Sequence, residues 1–268
     1  MKDFLDKALF FHVDAFTTVP FTGNPAGVCL LPTPREDRWM ARVAGEMNAP
    51  ETVFVERKNG SFSLRWFTPT TEVELCGHAT LAASHVLWSE GILEEEEPAK
   101  YQTKGGHLSA SQKGDWIILD FPAHPAADIT APTSLTMILG RTPKYAGENS
   151  WDYLVEVESE EVLRELQPDL TRLSKLPARG LIVTAPSSHP EIDFVSRFFA
   201  PKVGIPEDPV TGSAHCCLGP YWKPRLGKDS MIGKQISPRG GIVRVKVEGD
   251  RVLLGGKAVT ISHGEMDV

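Results

Sequence analysis

Apolar and polar positions along this chain follow two rhythms, and the order in which they alternate predicts the architecture. Phe10 to Phe16 reads as a strand, followed by a turn at Gly23-Asn24-Pro25 and a second strand at Val28 to Leu31. Pro34 and the apolar residues Trp39, Met40, Val43 and Met47 predict a helix that Asn48 and Pro50 end. Strands follow at Thr52 to Glu56 and at Ser61 to Phe67, the latter alternating around Leu64 and Trp66. From Gly77 to about Trp88 the pattern is helical, yet Ala79, Leu81, Ala82, Val86 and Leu87 leave almost no polar face. A helix apolar nearly all round is buried, which places it inside a sheet that wraps it. Trp116 to Phe121 is a further strand, and Pro122 to Pro132 reads as a connection between domains.

The second half repeats the first. A helix near Ser134 to Leu139, a strand at Trp151 to Val157 and a charged helix at Glu160 to Leu166 precede strands at Gly180 to Ala185 and Ile192 to Phe199. A helix opens at Gly212, its end blurred by Pro220 and Pro224, and alternating strands follow at Gly241 to Val247 and Arg251 to Gly255. The echo extends to single residues. Arg65-Trp66-Phe67-Thr68-Pro69 leads through an acidic loop to Cys76-Gly77-His78-Ala79 and an apolar segment ending at Gly91. Arg197-Phe198-Phe199-Ala200-Pro201 leads past Glu207 and Asp208 to Thr211-Gly212-Ser213-Ala214 and a segment ending at Gly227. The expected fold class is α+β, strand-rich, with one central helix per domain. Two similar halves that face one another make a cleft.

Composition narrows the function classes. The 268 residues suffice for two domains of ordinary size, and 41% hydrophobic with 24% charged residues is the profile of a globular protein. A net charge of −7 without Lys/Arg blocks argues against nucleic acid and anionic membrane as partners. No run reaches the roughly 18 apolar residues of a membrane span. Asp3, Asp6 and Lys7 interrupt the first apolar stretch, so no signal peptide is expected. Four cysteines, two of them the adjacent Cys216 and Cys217, make no disulfide framework, and a reduced, cytoplasmic enzyme is expected. Neither His-Glu-x-x-His nor Cys-x-x-Cys occurs, so no metal is expected. The Gly-Gly pairs beginning at Gly105, Gly240 and Gly255 read as turns between strands.

A helix N-terminus carries unpaired N–H groups and partial positive charge, so it seats a carboxylate, and glycine lets the ligand approach closely. The chain offers this at Gly77-His78 and at Gly212-Ser213. Glu51, His78 and Asp208 are the titratable candidates for proton transfer beside them. Taken singly, each has an ordinary explanation. Glu51 is an acid at a strand entry, Asp208 a turn residue, Ser213 part of a helix start. His78 in a first helical turn is expected neutral, because the helix dipole disfavours its cation. Cys76 occupies a position that lowers a thiol pKa, but its counterpart Thr211 does not titrate near neutrality. A racemase with two opposed thiols is therefore broken on one side, and Cys76 reads as a small packing residue.

Val13-Asp14-Ala15-Phe16, Gly23-Asn24-Pro25, Glu46-Met47-Asn48 with Glu51, Gly77-His78, and Glu207 through Ala214 occur in an order and spacing that resemble the phenazine-biosynthesis isomerase (PhzF-like) family. The resemblance covers nearly the whole chain. It implies the diaminopimelate-epimerase-like fold: two pseudo-symmetric domains, each a curved, mostly antiparallel sheet or barrel around a central helix, with the active site between. The domains implied are 1–121, joined by a last strand at about 258–268, and 122–257. The family's members form homodimers and need no cofactor, and both are expected here. Glu51 resembles the family's general acid/base, with His78 and Asp208 as its proton-handling companions. Ser213, with the backbone of Gly77 and Gly212, resembles the groups that seat the substrate carboxylate, and Asn24 a substrate-contacting asparagine. The implied activity is cofactor-independent isomerisation by proton transfer on a small, carboxylate-bearing unsaturated or cyclic substrate. Two alternatives stand beside it: a racemase or epimerase assisted by Cys76, and a binding or adaptor protein that keeps the scaffold.

Overall fold

The computed structural model describes residues 7–266. The first half holds β1 (Ala8–Ala15), β2 (Asn24–Leu31), α1 (Asp37–Met47), β3 (Glu51–Lys58), β4 (Ser61–Phe67), β5 (Glu72–Val73), α2 (Gly77–Ser89), β6 (Ala99–Thr103), β7 (Gly106–Lys113) and β8 (Trp116–Pro122). The second holds β9 (Ala127–Asp128), α3 (Thr133–Leu139), β10 (Tyr145–Glu148), β11 (Asp152–Glu156), α4 (Glu160–Glu165), α5 (Leu170–Leu173), β12 (Gly180–Pro186) and β13 (Phe194–Ala200). It continues with β14 (Ile205–Asp208), α6 (Gly212–Leu226), β15 (Ser230–Gln235), β16 (Gly241–Glu248) and β17 (Arg251–Gly256), and β18 (Ala258–Met266) follows. One compact unit runs to Phe121 and takes back the chain from Gly255 onward; the other is Pro122–Leu254.

In the first unit β18 pairs antiparallel with β1, and β1 with β2. β2 and β3 are parallel, because α1 carries the chain back between them. β4 is antiparallel to β3 and β5, then parallel to β6 once α2 has crossed. β6, β7 and β8 form a meander. α2 packs on β1, β2, β3 and β18. It is buried along almost its whole length, as the missing polar face predicts. α1 covers the other side, where Met40 and Ala44 meet Cys29, Leu31, Phe54 and Phe67. Cys29 and Leu31 share that face because side chains alternate along a strand.

The second unit repeats the plan. β9, β10 and β11 are antiparallel neighbours, β11 is parallel to β12, β12 antiparallel to β13, and β13 antiparallel to β14 and parallel to β15. β15 pairs antiparallel with β16. α6 takes the place of α2, packing on β15 and β16. Leu135, Ile138, Leu163 and Leu173 from α3, α4 and α5 form an outer core with Val155, Leu181 and Phe199. The echo in the sequence has a structural basis. Arg65 makes a two-pronged ion pair with Glu72 (2.8 and 2.8 Å), and Arg197 makes the same pair with Glu207 (2.7 and 2.9 Å). Each pair ties a long strand to the short strand that leads into the central helix. At the fourth helical position Thr80 Oγ1 donates to the Cys76 carbonyl (2.6 Å), and His215 Nδ1 donates to the Thr211 carbonyl (2.8 Å).

Several local expectations need correction. Asn24 and Pro25 are not turn residues: β2 begins at Asn24, which is wholly buried and opposite Ala15. α1 starts at Asp37, after Pro34. α6 continues to Leu226 through both prolines. Pro220 has no N–H to give the carbonyl of Cys216, but the His124 N–H donates to that oxygen at 3.0 Å, so the break in the ladder is filled. Gly255-Gly256 is no turn; both residues lie in β17. A Cβ on Gly256 would come within 2.5 Å of Leu81 Cδ1 and Phe16 Cδ1, so α2 can approach there only because the side chain is absent. The two-residue strands β5 and β9, and β6, β7, β10, β14 and β15, are not predicted by the pattern. β7 buries only Ala110 and β10 is Tyr-Ala-Gly-Glu, so neither shows the alternation that marks a strand; pairing with neighbours recruits them.

Candidate active site

In the first unit the chain places Glu51 as the opening residue of β3 and His78 in the first turn of α2. Glu51 Oε2 lies 3.1 Å from His78 Nε2, with side chains 13% and 8% exposed. Asn24, at the start of β2, sets its Nδ2 3.2 Å from His78 Nδ1. The neighbours of the imidazole are thus a carboxylate at one nitrogen and an amide at the other. A neutral ring donates from Nε2 to Glu51 and accepts from Asn24 at Nδ1. A doubly protonated ring needs an acceptor at Nδ1, which the amide oxygen of Asn24 supplies by a half-turn of the side chain. The site can therefore hold His78 in either protonation state.

The charge state of His78 differs from the expectation. Burial works against the cation, but the Cys76 sulfur and the Glu51 carboxylate outweigh it and hold the imidazole well above its usual range. Cys76 is itself fully enclosed, and burial pushes its thiol up. The same burial opposes the thiolate that a cysteine-assisted racemase needs. Cys76 is nonetheless more than packing: its Sγ is 3.5 Å from His78 Nδ1 and 3.9 Å from Nε2. Donor atoms of Glu51, Cys76 and His78 all lie within 4.8 Å of one another, the set a zinc-like ion would require. The nearly equal sulfur–nitrogen distances put the sulfur beside the ring, out of line with either lone pair, which suits coordination poorly. The other cysteines are buried and free, with Cys29, Cys216 and Cys217 pushed up to about 12 by burial.

In the second unit Gly212 and Ser213 open α6, whose N-cap Thr211 does not cap the helix with its side chain. The Thr211 hydroxyl donates instead to Asp208 Oδ2, and Gln235 fixes the same loop by donating to the Asp208 carbonyl (2.7 Å) and accepting from the Thr211 N–H (2.9 Å). Asp208 therefore sits beside the helix start, at the end of β14. Ser213 Oγ accepts from Arg179 Nη2 at 3.0 Å. Gly77 holds the matching place at the start of α2, whose N-cap Cys76 likewise leaves the helix uncapped by its side chain. Glu51, His78 and Asn24 are thus gathered in one unit, and Asp208, Gly212 and Ser213 in the other.

Sequence reasoning missed Arg179 and Asp152. The available signal was an Arg-Gly pair opening β12 opposite an acid opening β11, visible only once Asp152 is known to pair with Gly180 in parallel register.

The comparisons with known proteins agree with this architecture. The family model described as phenazine biosynthesis-like protein (PhzC-PhzF) matches residues 13–264. An uncharacterized isomerase of Halalkalibacterium halodurans is 51% identical over 255 residues, 95% of this chain and 96% of that one. The human phenazine biosynthesis-like domain-containing protein is 36% identical over 286 residues, 97% of this chain and 99% of its own. The crystal structure of a phenazine biosynthesis protein of the PhzF family from Enterococcus faecalis superposes with a TM-score of 0.93 at 37% identity, covering 98% of this chain and all of that one. No helix among the described residues is long and apolar enough to cross a membrane. With its duplicated α+β units of diaminopimelate-epimerase-like type, the chain belongs to the phenazine biosynthesis-like, PhzC-PhzF family.

Proposed function

We propose that this protein is a cofactor-independent isomerase that moves a proton between carbons of a small, carboxylate-bearing unsaturated or cyclic substrate. Glu51 is the acid/base. Its carboxylate takes the proton from one carbon of the substrate, and the His78 cation beside it offsets the negative charge that Glu51 carries before and after the transfer. Return of that proton to another carbon completes the isomerisation with no net change in oxidation state or atom count. Asp208 is a second proton-handling group. The N–H groups that open α2 and α6, with Ser213 and Asn24, bind and orient the substrate.

The observation that carries this reading is the 3.1 Å contact between Glu51 and His78, both largely buried at the start of the central helix. A carboxylate and an imidazole held together away from water form a proton-transfer pair. Relatives of the chain bear isomerase in their names, which supports the reaction class. The test is solvent-deuterium incorporation into a panel of unsaturated and cyclic carboxylic acids. Loss of a positioned acid/base costs about 100-fold or more, so Glu51→Gln is expected to lower turnover at least that far. Turnover equal to that of the unmodified protein would remove Glu51 from the role.

A further inference from the structure

The second unit carries a guanidinium that the fold has prepared for an anion. Asp152, 1% exposed, takes the inner edge of Arg179, with Nε donating to Oδ1 at 2.9 Å and Nη2 donating to Oδ2. The guanidinium carbon lies 5.5 Å from the centre of the Trp151 ring and 5.3 Å from that of Phe198. Two aromatic contacts and a two-pronged ion pair leave the side chain almost no rotameric freedom, so a ligand need not order it. It is not enclosed, however. Arg179 is 35% exposed, and its Nη1 makes no hydrogen bond among the described residues. A pair serving only to neutralise a buried charge has no need of an uncommitted outward nitrogen.

The third contact gives the arrangement its direction. Nη2 also donates to Ser213 Oγ, and an oxygen that accepts there keeps its own proton to donate elsewhere. Arg179 thus turns the Ser213 hydroxyl into a donor next to the N–H groups that open α6. The field of the pair is net positive at His124, whose ring lies tilted against Trp151 with centroids 4.1 Å apart: there Arg179 adds more to burial in opposing a cation than Asp152 takes away.

We propose that Arg179 is a specificity-determining residue of this protein, receiving an anionic oxygen of the substrate on its outer edge beside Ser213, with Asp152 as the residue that positions it. The proposal rests on the assignment of Ser213 to substrate binding. It adds the residue that makes this seat select a full anion, such as a carboxylate, over a neutral carbonyl or amide.

Benzoate and benzamide, alike in shape and different in charge, serve as probes in calorimetric and saturation-transfer NMR titrations. The unmodified protein is expected to prefer benzoate, and Arg179→Gln to lose about tenfold or more of benzoate affinity, the weight of a charge-assisted hydrogen bond, while its benzamide affinity stays as it was. Because Arg179→Gln alone strands a buried carboxylate, the double variant Asp152→Asn/Arg179→Gln is measured beside it and is expected to keep the fold yet show the same loss. Arg179→Lys is expected to retain part of the preference. Equal affinity for the two probes in the unmodified protein, or undiminished benzoate affinity in the folded double variant, would overturn the proposal. Glu51→Gln separates it from the reading it rests on: a variant that binds benzoate normally and still exchanges deuterium counts against the role of Glu51 alone.

Discussion

His78 and His215 show how one residue type takes opposite charge states in equivalent parts of the two units. Both lie in the first turn of a central helix and both are buried. His78 lies against Cys76 and the Glu51 carboxylate, which raise it well above its usual range. His215 has only a carbonyl partner at Nδ1 and an apolar surround that includes Phe194, and burial pushes it down to about 4. A histidine depressed from an ordinary value near 6.5 binds its proton more readily in the unfolded chain. The stability it confers is therefore complete above about pH 6.5 and is lost as pH falls to about 4, some ~3 kcal/mol in all. Urea melts of the protein and of His215→Asn across that window are expected to converge as the pH falls, with the variant losing less. At this scale the chemistry was only partly legible. Glu51 and His78 stood out as residue types, but their contact depends on β3 starting at Glu51, which local pattern does not fix to a single residue. The direction of the His78 shift ran against expectation because the helix dipole is written in the sequence and the packing of Cys76 and Glu51 against the ring is not.

The duplicated arginine–glutamate pairs separate what elements share from what they do not. Arg197 is buried, and beyond Glu207 its Nη1 donates to the carbonyls of Leu163 (3.1 Å) and Leu166 (2.7 Å), so it also closes the C-terminal end of α4. Arg65 is more open and spreads its bonds over Glu72 and Asp37, while Lys104 shares Glu72. Glu207→Gln is therefore expected to cost about 3 kcal/mol, as breaking a buried pair does. Glu72→Gln is expected to cost less, because Arg65 keeps Asp37 as a second carboxylate partner. Denaturant midpoints of the two variants make the comparison. The elements themselves were largely readable: β4, α2 and α6 begin where the pattern places them, because Gly77 and Gly212 mark helix starts and strand alternation is strong. What escaped were strands held by their neighbours, and the two prolines of α6, whose harm depends on whether another N–H reaches Cys216.

At the scale of the molecule, the first unit is discontinuous. β18 supplies β1 with a partner along its entire length, from Ala8 opposite Met266 to Ala15 opposite Ala258. A chain ending at Gly256 is expected to lose amide protection over β1, β2 and α2, with protection in β11, β12 and β13 retained, when hydrogen exchange is followed by mass spectrometry. Duplication was evident in the repeated Arg, Pro and Gly signposts. The asymmetry was less so, since the counterpart of His78 is Ser213, and only the fold shows that Glu51 lies beside the first residue and Arg179 beside the second.

That discontinuity also sets an order of events at the ribosome. Synthesis runs from the N-terminus, so β1 emerges early and its outer hydrogen-bonding edge stays open until every residue of the second unit has been made. The half translated first is the half completed last. During that interval an unpaired edge beside an apolar helix is the surface most prone to pair with another nascent chain, which makes the tunnel exit the place where this protein needs protection most.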